Sequence, residues 1–263
     1  MESEPVVRQA VPRALIRYSA MDTPPSARAE PDGAPARPLA PAGLALFLRY
    51  PEPGTVKSRL QEALGAERAA RFYWECALLV MAKAQRLKET EVFAFYRPEE
   101  RGREIEALVM GRFGKFEGRF IVQRGRTIGE RINHALERLR MNGFARQIVL
   151  GSDSPTLPQE ALQQAVESLS SVDCVIGPTW DGSTYLIGVR APDVRMFRDV
   201  PWGTGRELAQ LHDNLAALGR SSLLLPRWHQ IATPDDLPFL EAQVRHADYR
   251  RLKALLDEGG QGS

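Results

Sequence analysis

Lys57 and Arg59 stand two residues apart in YPEPGTVKSRL, residues 50–60, directly after the apolar run LALFL. Paired cations beyond a Pro53-Gly54 turn suit an anion. Gly54 removes side-chain bulk where a ligand approaches the backbone, and successive N–H groups can cradle a diphosphate. A strand-to-helix connection carrying two solvated cations accounts for the same residues. The stretch is neither a Walker A loop nor a dinucleotide-binding GxGxxG.

Asp153 follows the run IVLG in IVLGSDSPTLP, residues 148–158. A carboxylate at a strand end suits ribose hydroxyls or a divalent cation such as Mg²⁺, which takes a few hard oxygen ligands plus substrate phosphates. An Asx-turn or helix cap is the structural alternative. Asp181 lies in VIGPTWDGSTYLIG, residues 175–188, where it binds a second substrate, activates its nucleophile or forms a turn with Gly182. In VPWGT, residues 200–204, Trp202 either stacks on a ring or packs. Thr204, with Glu207 three residues on, reads as an N-cap completing a capping box.

The histidines form no constellation. His134 and His212 sit in helical patterns, His246 in the polar C-terminal part, and His229 near a strand end. With no HxxxH, CxxC or GxSxG element, zinc and serine-nucleophile chemistry have no support.

The elements that must position these residues alternate. Apolar runs read as strands at LALFLR, EVFAFYR, RFIVQ, RQIVLGSD, VDCVIGP, STYLIGVR and SSLLLPRW. Between them, three- and four-residue apolar spacing predicts helices, among them GAERAARFYWECALLVMAKAQRLKE and IGERINHALERLRMNG. A single helical stretch from TPDDL closes the chain. The alternation predicts an α/β domain with a mostly parallel sheet covered on both faces, with ligands beyond the carboxyl ends of the strands. Residues 1–42, rich in Pro, Ala and Arg, read as a disordered extension, 43–240 as the domain, and 241–263 as a C-terminal helix and tail.

With 35 Lys+Arg against 33 Asp+Glu, the formal charge is +2, which gives no reason to expect nucleic acid or an anionic membrane as the main partner. Any anion site is therefore local. Cys76 and Cys174 read as small core residues of a protein in a reducing compartment. There is no apolar run long enough to span a bilayer and no secretory h-region, so the expected location is the cytoplasm.

In order and spacing, FLRYPEPGTVKSRL, GRTIGERINHAL, VLGSDSPTLP, VIGPTWDGSTYLIG, VPWGT and ATPDDL resemble the DUF2064 family of GT-A-like glycosyltransferases over residues 44 to about 240. The resemblance implies a three-layer α/β/α sandwich with a Rossmann-like nucleotide-binding half. It implies a nucleotide or nucleotide-sugar held by Pro53, Gly54, Lys57, Arg59 and Asp153, with Asp153 on Mg²⁺ or Mn²⁺. Asp181 and Glu130 are the implied catalytic residues, acting on a small-molecule acceptor, and Glu130-Arg131 matches the family's GER element. The chain departs from the family pattern at Thr127, Ser183 and Thr184, and at Gln230 and Ala232, where two aspartates are expected. Three activities follow: sugar transfer, nucleotidyl transfer with release of pyrophosphate, and nucleotide binding by a chain that has lost its late acids.

Overall fold

The computed structural model describes residues 41–244 and 249–258. The expected N-terminal extension, apart from its last two residues, and His246 lie outside them. Among the described residues no helix is long and apolar enough to cross a membrane.

Seven strands form one sheet: β1 (Ala42–Arg49), β2 (Thr90–Arg97), β3 (Phe120–Val122), β4 (Arg146–Leu150), β5 (Cys174–Pro178), β6 (Thr184–Val189) and β7 (Ser222–Leu224). Their order is β3-β2-β1-β4-β6-β5-β7, and β6 alone runs antiparallel to its neighbours. The order reverses at β1, which pairs with β2 on one side and β4 on the other. β1 and β4 end side by side, and the segments leaving them line one crevice beyond the carboxyl ends of the strands, where such sheets bind ligands.

Both faces are covered. Leu44, Leu46 and Leu48 of β1 point to one face, against α2 (Ala66–Ala84), α3 (Gly102–Phe113) and α5 (Gln159–Ser168). Ala45, Phe93 and Phe95 point to the other, against α4 (Ile128–Met141) and α6 (Glu207–Ala217). Each fully buried leucine of β1 contributes roughly 1.5–3 kcal/mol by leaving water.

Helix α2 is apolar nearly all round because it is sandwiched. Its far side, with Phe72, Cys76 and Leu79, packs on Leu60 and Leu64 of the segment containing α1 (Gln61–Leu64), on Leu240 and Val244, and on Leu252 and Leu255. The C-terminal segment departs from expectation: it forms two helices, α7 (Leu237–Gln243) and α8 (Arg250–Asp257), not one. A continuous helix over 233–259 would run about 40 Å, longer than α2 at about 28 Å, and would carry its last leucines past the surface they cover. Cys76 and Cys174 are both buried free thiols, and burial pushes each up to about 12.

Candidate active site

The β1 and β2 strands end in register with an arginine each, Arg49 beside Arg97. After β1 the chain turns through Pro53 and Gly54, whose φ of 84° is the left-handed region open to glycine. Three residues on, Lys57 occupies the same region at φ 49° and ψ 41°. A side chain there costs about 1–2 kcal/mol, so the surroundings must hold it. They do: Lys57 Nζ donates to Asp153 Oδ1 at 2.6 Å and to the Ile231 carbonyl. The lysine side chain is 5% exposed and that of Asp153 44%. Ile231 N–H in turn donates to the Asp153 carbonyl at 2.8 Å.

This knot forms one wall of a cavity of about 330 Å³ whose charged lining is Arg49, Lys57, Arg59, Arg97 and Arg131 against Asp153 alone. Arg131 enters from the first turn of α4. Burial, and then the nearby charge of Arg49, lowers the pKa of both Arg97 and Arg131. The side chains of Arg59 and Arg97 make no hydrogen bond or ion pair to other described residues, and Arg131 Nε is buried without a partner. Partly buried Arg97 and Arg131 and exposed Arg59, crowded round one cavity, make it a favourable place for an anion.

Two further groups frame the floor. The Tyr73 hydroxyl accepts from Arg49 N–H at 2.7 Å and from Ser152 Oγ at 3.3 Å. Burial, and then the negative charge of Asp153, pushes this phenol up to about 12, so it stays neutral. Gln123 donates to the Leu48 and Phe95 carbonyls, at 3.1 and 2.8 Å, and ties the ends of β1 and β2 together.

Lys57, Arg59 and Asp153 are thus brought together. Pro53 and Gly54 are not in the wall; they form the exposed turn that leads into it, which Arg49 fixes by donating to the Thr55 carbonyl at 2.8 Å. Glu130 also lies outside the wall. It is exposed, and it closes the N-terminus of α4: Thr127 Oγ1 accepts from Glu130 N–H at 3.2 Å, and the Glu130 carboxylate accepts from Arg126 N–H at 2.7 Å. Arg49, Arg97, Gln123 and Tyr73 are additions to the predicted set. Arg49 and Arg97 carried a signal, a cation as the last residue of each of two apolar runs.

Asp181 lies on the loop joining β5 to β6. Its Oδ1 accepts from the Thr179 hydroxyl and from Ser183 N–H at 3.2 Å, and its Oδ2 from Gln230 Nε2 at 2.6 Å. Partial desolvation would raise its pKa, but the hydrogen bonds from Thr179, Gln230 and Ser183 outweigh it and hold the carboxyl below its usual range. Ala232 lines the cavity, and Asp236 caps the segment after it by accepting from Ala232 N–H and Thr233 N–H at 2.9 and 2.7 Å. The donor set does not fit a divalent metal held by the protein. Asp153 is the one carboxylate in the wall, Lys57 occupies one of its oxygens, and no three His, Cys, Asp or Glu groups converge among the described residues.

A second cavity, of about 200 Å³, adjoins the first and shares Phe47, Ile128 and Gly151 with it. Trp202 packs over Gly129, where a Cβ would come within 2.9 Å of its indole nitrogen. Thr204 is not the N-cap of α6: its hydroxyl donates to the Pro201 carbonyl at 2.6 Å, and Arg206 takes the cap position. Half of the expected capping box survives, since Glu207 Oε1 accepts from Gly203 N–H and, at 3.2 Å, from Thr204 N–H.

The family model described as an uncharacterised protein conserved in bacteria, DUF2064, matches residues 80–204. No curated protein matches the sequence significantly. Among solved structures, a candidate nucleotide-diphospho-sugar transferase from Desulfovibrio desulfuricans G20 is 30% identical, with a TM-score of 0.75 over 83% of this chain and 95% of its own. A 4-diphosphocytidyl-2C-methyl-D-erythritol synthase shares the fold at 13% identity and a TM-score of 0.51, over 78% of this chain and 98% of its own. The same enzyme from Anaerococcus prevotii DSM 20548 does so at 12% and 0.50, over 79% and 97%. The chain belongs to the DUF2064 family and has the α/β fold of nucleotide-diphospho-sugar transferases.

Proposed function

We propose that this chain is a transferase that binds the diphosphate of a nucleotide-sugar in the cationic cavity and moves the sugar to a small-molecule acceptor. One observation carries the reading: five cations face a single carboxylate that Lys57 already neutralises. Arg59, Arg97 and Arg131 retain unused N–H donors for phosphate oxygens. In the transfer, the acceptor hydroxyl oxygen bonds to the anomeric carbon. The bond from that carbon to the β-phosphate oxygen breaks, the electron pair leaves with the nucleoside diphosphate, and the hydroxyl proton passes to water. Preorganised cations stabilise the charge that develops on the leaving group. Asp181 is read as an anchor for Gln230 and not as the base, because both its oxygens are engaged. Mg²⁺ or Mn²⁺ is given no step, since the wall offers no ligand set for it. The nucleotide-diphospho-sugar transferase assignment of the 30%-identical structure supports the reading.

The test is isothermal titration of UDP, GDP, CDP, ADP and inorganic pyrophosphate with EDTA present. Binding of at least one nucleoside diphosphate is expected, and absence of binding for all five overturns the reading. The same cations suit a triphosphate, so nucleotidyl transfer is the second reading; release of pyrophosphate in place of a nucleoside diphosphate would establish it.

A further inference from the structure

Glu207 is 2% exposed, and its two carboxyl oxygens differ. Oε1 accepts from the Gly203 and Thr204 N–H groups, whereas Oε2 is buried with no partner. An acceptor buried in this state costs about 1–3 kcal/mol, so its retention calls for a donor that the protein itself does not supply. The residue lines the second cavity, which has no cation in its wall and is otherwise bounded largely by apolar and aromatic groups, among them Phe47, Trp202 and Ile187. The loop that Oε1 holds is set firmly. The 203–205 loop that Glu207 holds packs backbone to backbone on the Asp181-Gly182 turn, where a Cβ on Gly182 would meet the Gly205 carbonyl at 1.9 Å, and Leu208 N–H donates to the Gly182 carbonyl.

A ligand for this compartment needs C–H faces for aromatic rings together with a hydroxyl donor for one carboxyl oxygen. A saccharide ring has both. The compartment adjoins the cationic cavity, sharing Phe47, Ile128 and Gly151 with it, within reach of a sugar attached to a diphosphate bound there. We infer that the second cavity takes the sugar ring of the donor, with Glu207 Oε2 accepting from one of its hydroxyls as the group that selects the sugar. This rests on the nucleotide-sugar reading above.

The test uses the full chain, the isosteric variant Glu207→Gln and, as a second variant, Trp202→Ala. Titrations compare the best-binding nucleoside diphosphate with its hexose conjugate, and saturation-transfer NMR follows methyl hexosides alone. Either variant that folds should bind the nucleoside diphosphate as the parent does, bind the conjugate at least tenfold more weakly and lose the hexoside signal. An equal change for diphosphate and conjugate, or no change for either, overturns the role of Glu207 while leaving diphosphate binding in place. If no nucleoside diphosphate binds, the functional reading fails separately. The hexoside arm then decides alone: a parent signal lost in the variants supports the sugar compartment, and no parent signal, or one kept in the variants, overturns it.

Discussion

Lys57 Nζ and Asp153 Oδ1 lie 2.6 Å apart although 96 residues separate them, and the lysine reaches that contact from a left-handed backbone. Removing the carboxylate leaves an almost buried ammonium with the Ile231 carbonyl as its hydrogen-bond partner. We predict that Asp153→Asn loses about 1–3 kcal/mol in urea denaturation. Lys57→Met/Asp153→Asn should recover part of that loss, with a coupling of about 1–2 kcal/mol. Methionine keeps the backbone cost of a side chain at position 57, so the cycle isolates the pair. Strict additivity would show that the contact contributes nothing.

Arg97 and Arg131 are held in the cavity against burial and against Arg49. Apart from the donations of Arg131 Nη1 to the Gly125 and Arg126 carbonyls, neither has a partner among the described residues that offsets this, and an anion would supply one. Arg97→Met and Arg131→Met should therefore each weaken diphosphate binding by about tenfold or more while keeping or raising the apo melting temperature. Loss of both binding and stability would recast these arginines as structural.

Gln230 donates to Asp181, so a carboxylate at position 230 would face another across the same contact. Gln230→Glu should cost about 1–2 kcal/mol at pH 7. The pH dependence gives the sign. In the parent, the depressed pKa of Asp181 contributes stability above the usual carboxylate range that is lost as pH falls through its folded value. In Gln230→Glu, the clash relaxes as one carboxylate protonates, so the stability gap to the parent should narrow from pH 7 towards pH 4. A gap independent of pH would exclude charge repulsion.

Ala232 shares the cavity wall with Asp153, and Ile231 beside it is bonded to both Asp153 and Lys57. Ala232→Asp should create divalent-cation binding: Mn²⁺ should raise the melting temperature of this variant by several degrees and that of the parent by about 1 °C or less. A parent response as large as the variant's would show that Asp153 alone suffices.

The sheet was legible because its strands are continuous apolar runs, each bounded by turn residues, and α4 because its apolar positions recur on one face. The expectation that a site lies at the strand ends came from the alternation. Contact identity was less accessible. Nothing local in TVKSRL says that Lys57 will turn to a carboxylate after β4, because that depends on the β1–β4 register and on a backbone conformation that lysine rarely adopts. Glu130 shows the reverse problem. The resemblance implies a catalytic role for it, whereas in the structure its carboxylate accepts from Arg126 N–H at the start of α4. The capping box expected at Thr204 and Glu207 formed only in part because the Gly203–Gly205 loop presses against Gly182 and delays the first helical residue to Glu207.

The tie from Lys57 through Asp153 to Ile231 spans 174 residues of chain. Contacts of such long sequence separation, like the β1–β4 pairing itself, incur a large loop-closure entropy before they form. We predict that the cavity closes after the rate-limiting step of folding. An anion seated there should lower the unfolding rate while leaving the refolding rate nearly unchanged, which makes the molecule's lifetime, more than its speed of formation, responsive to what it binds.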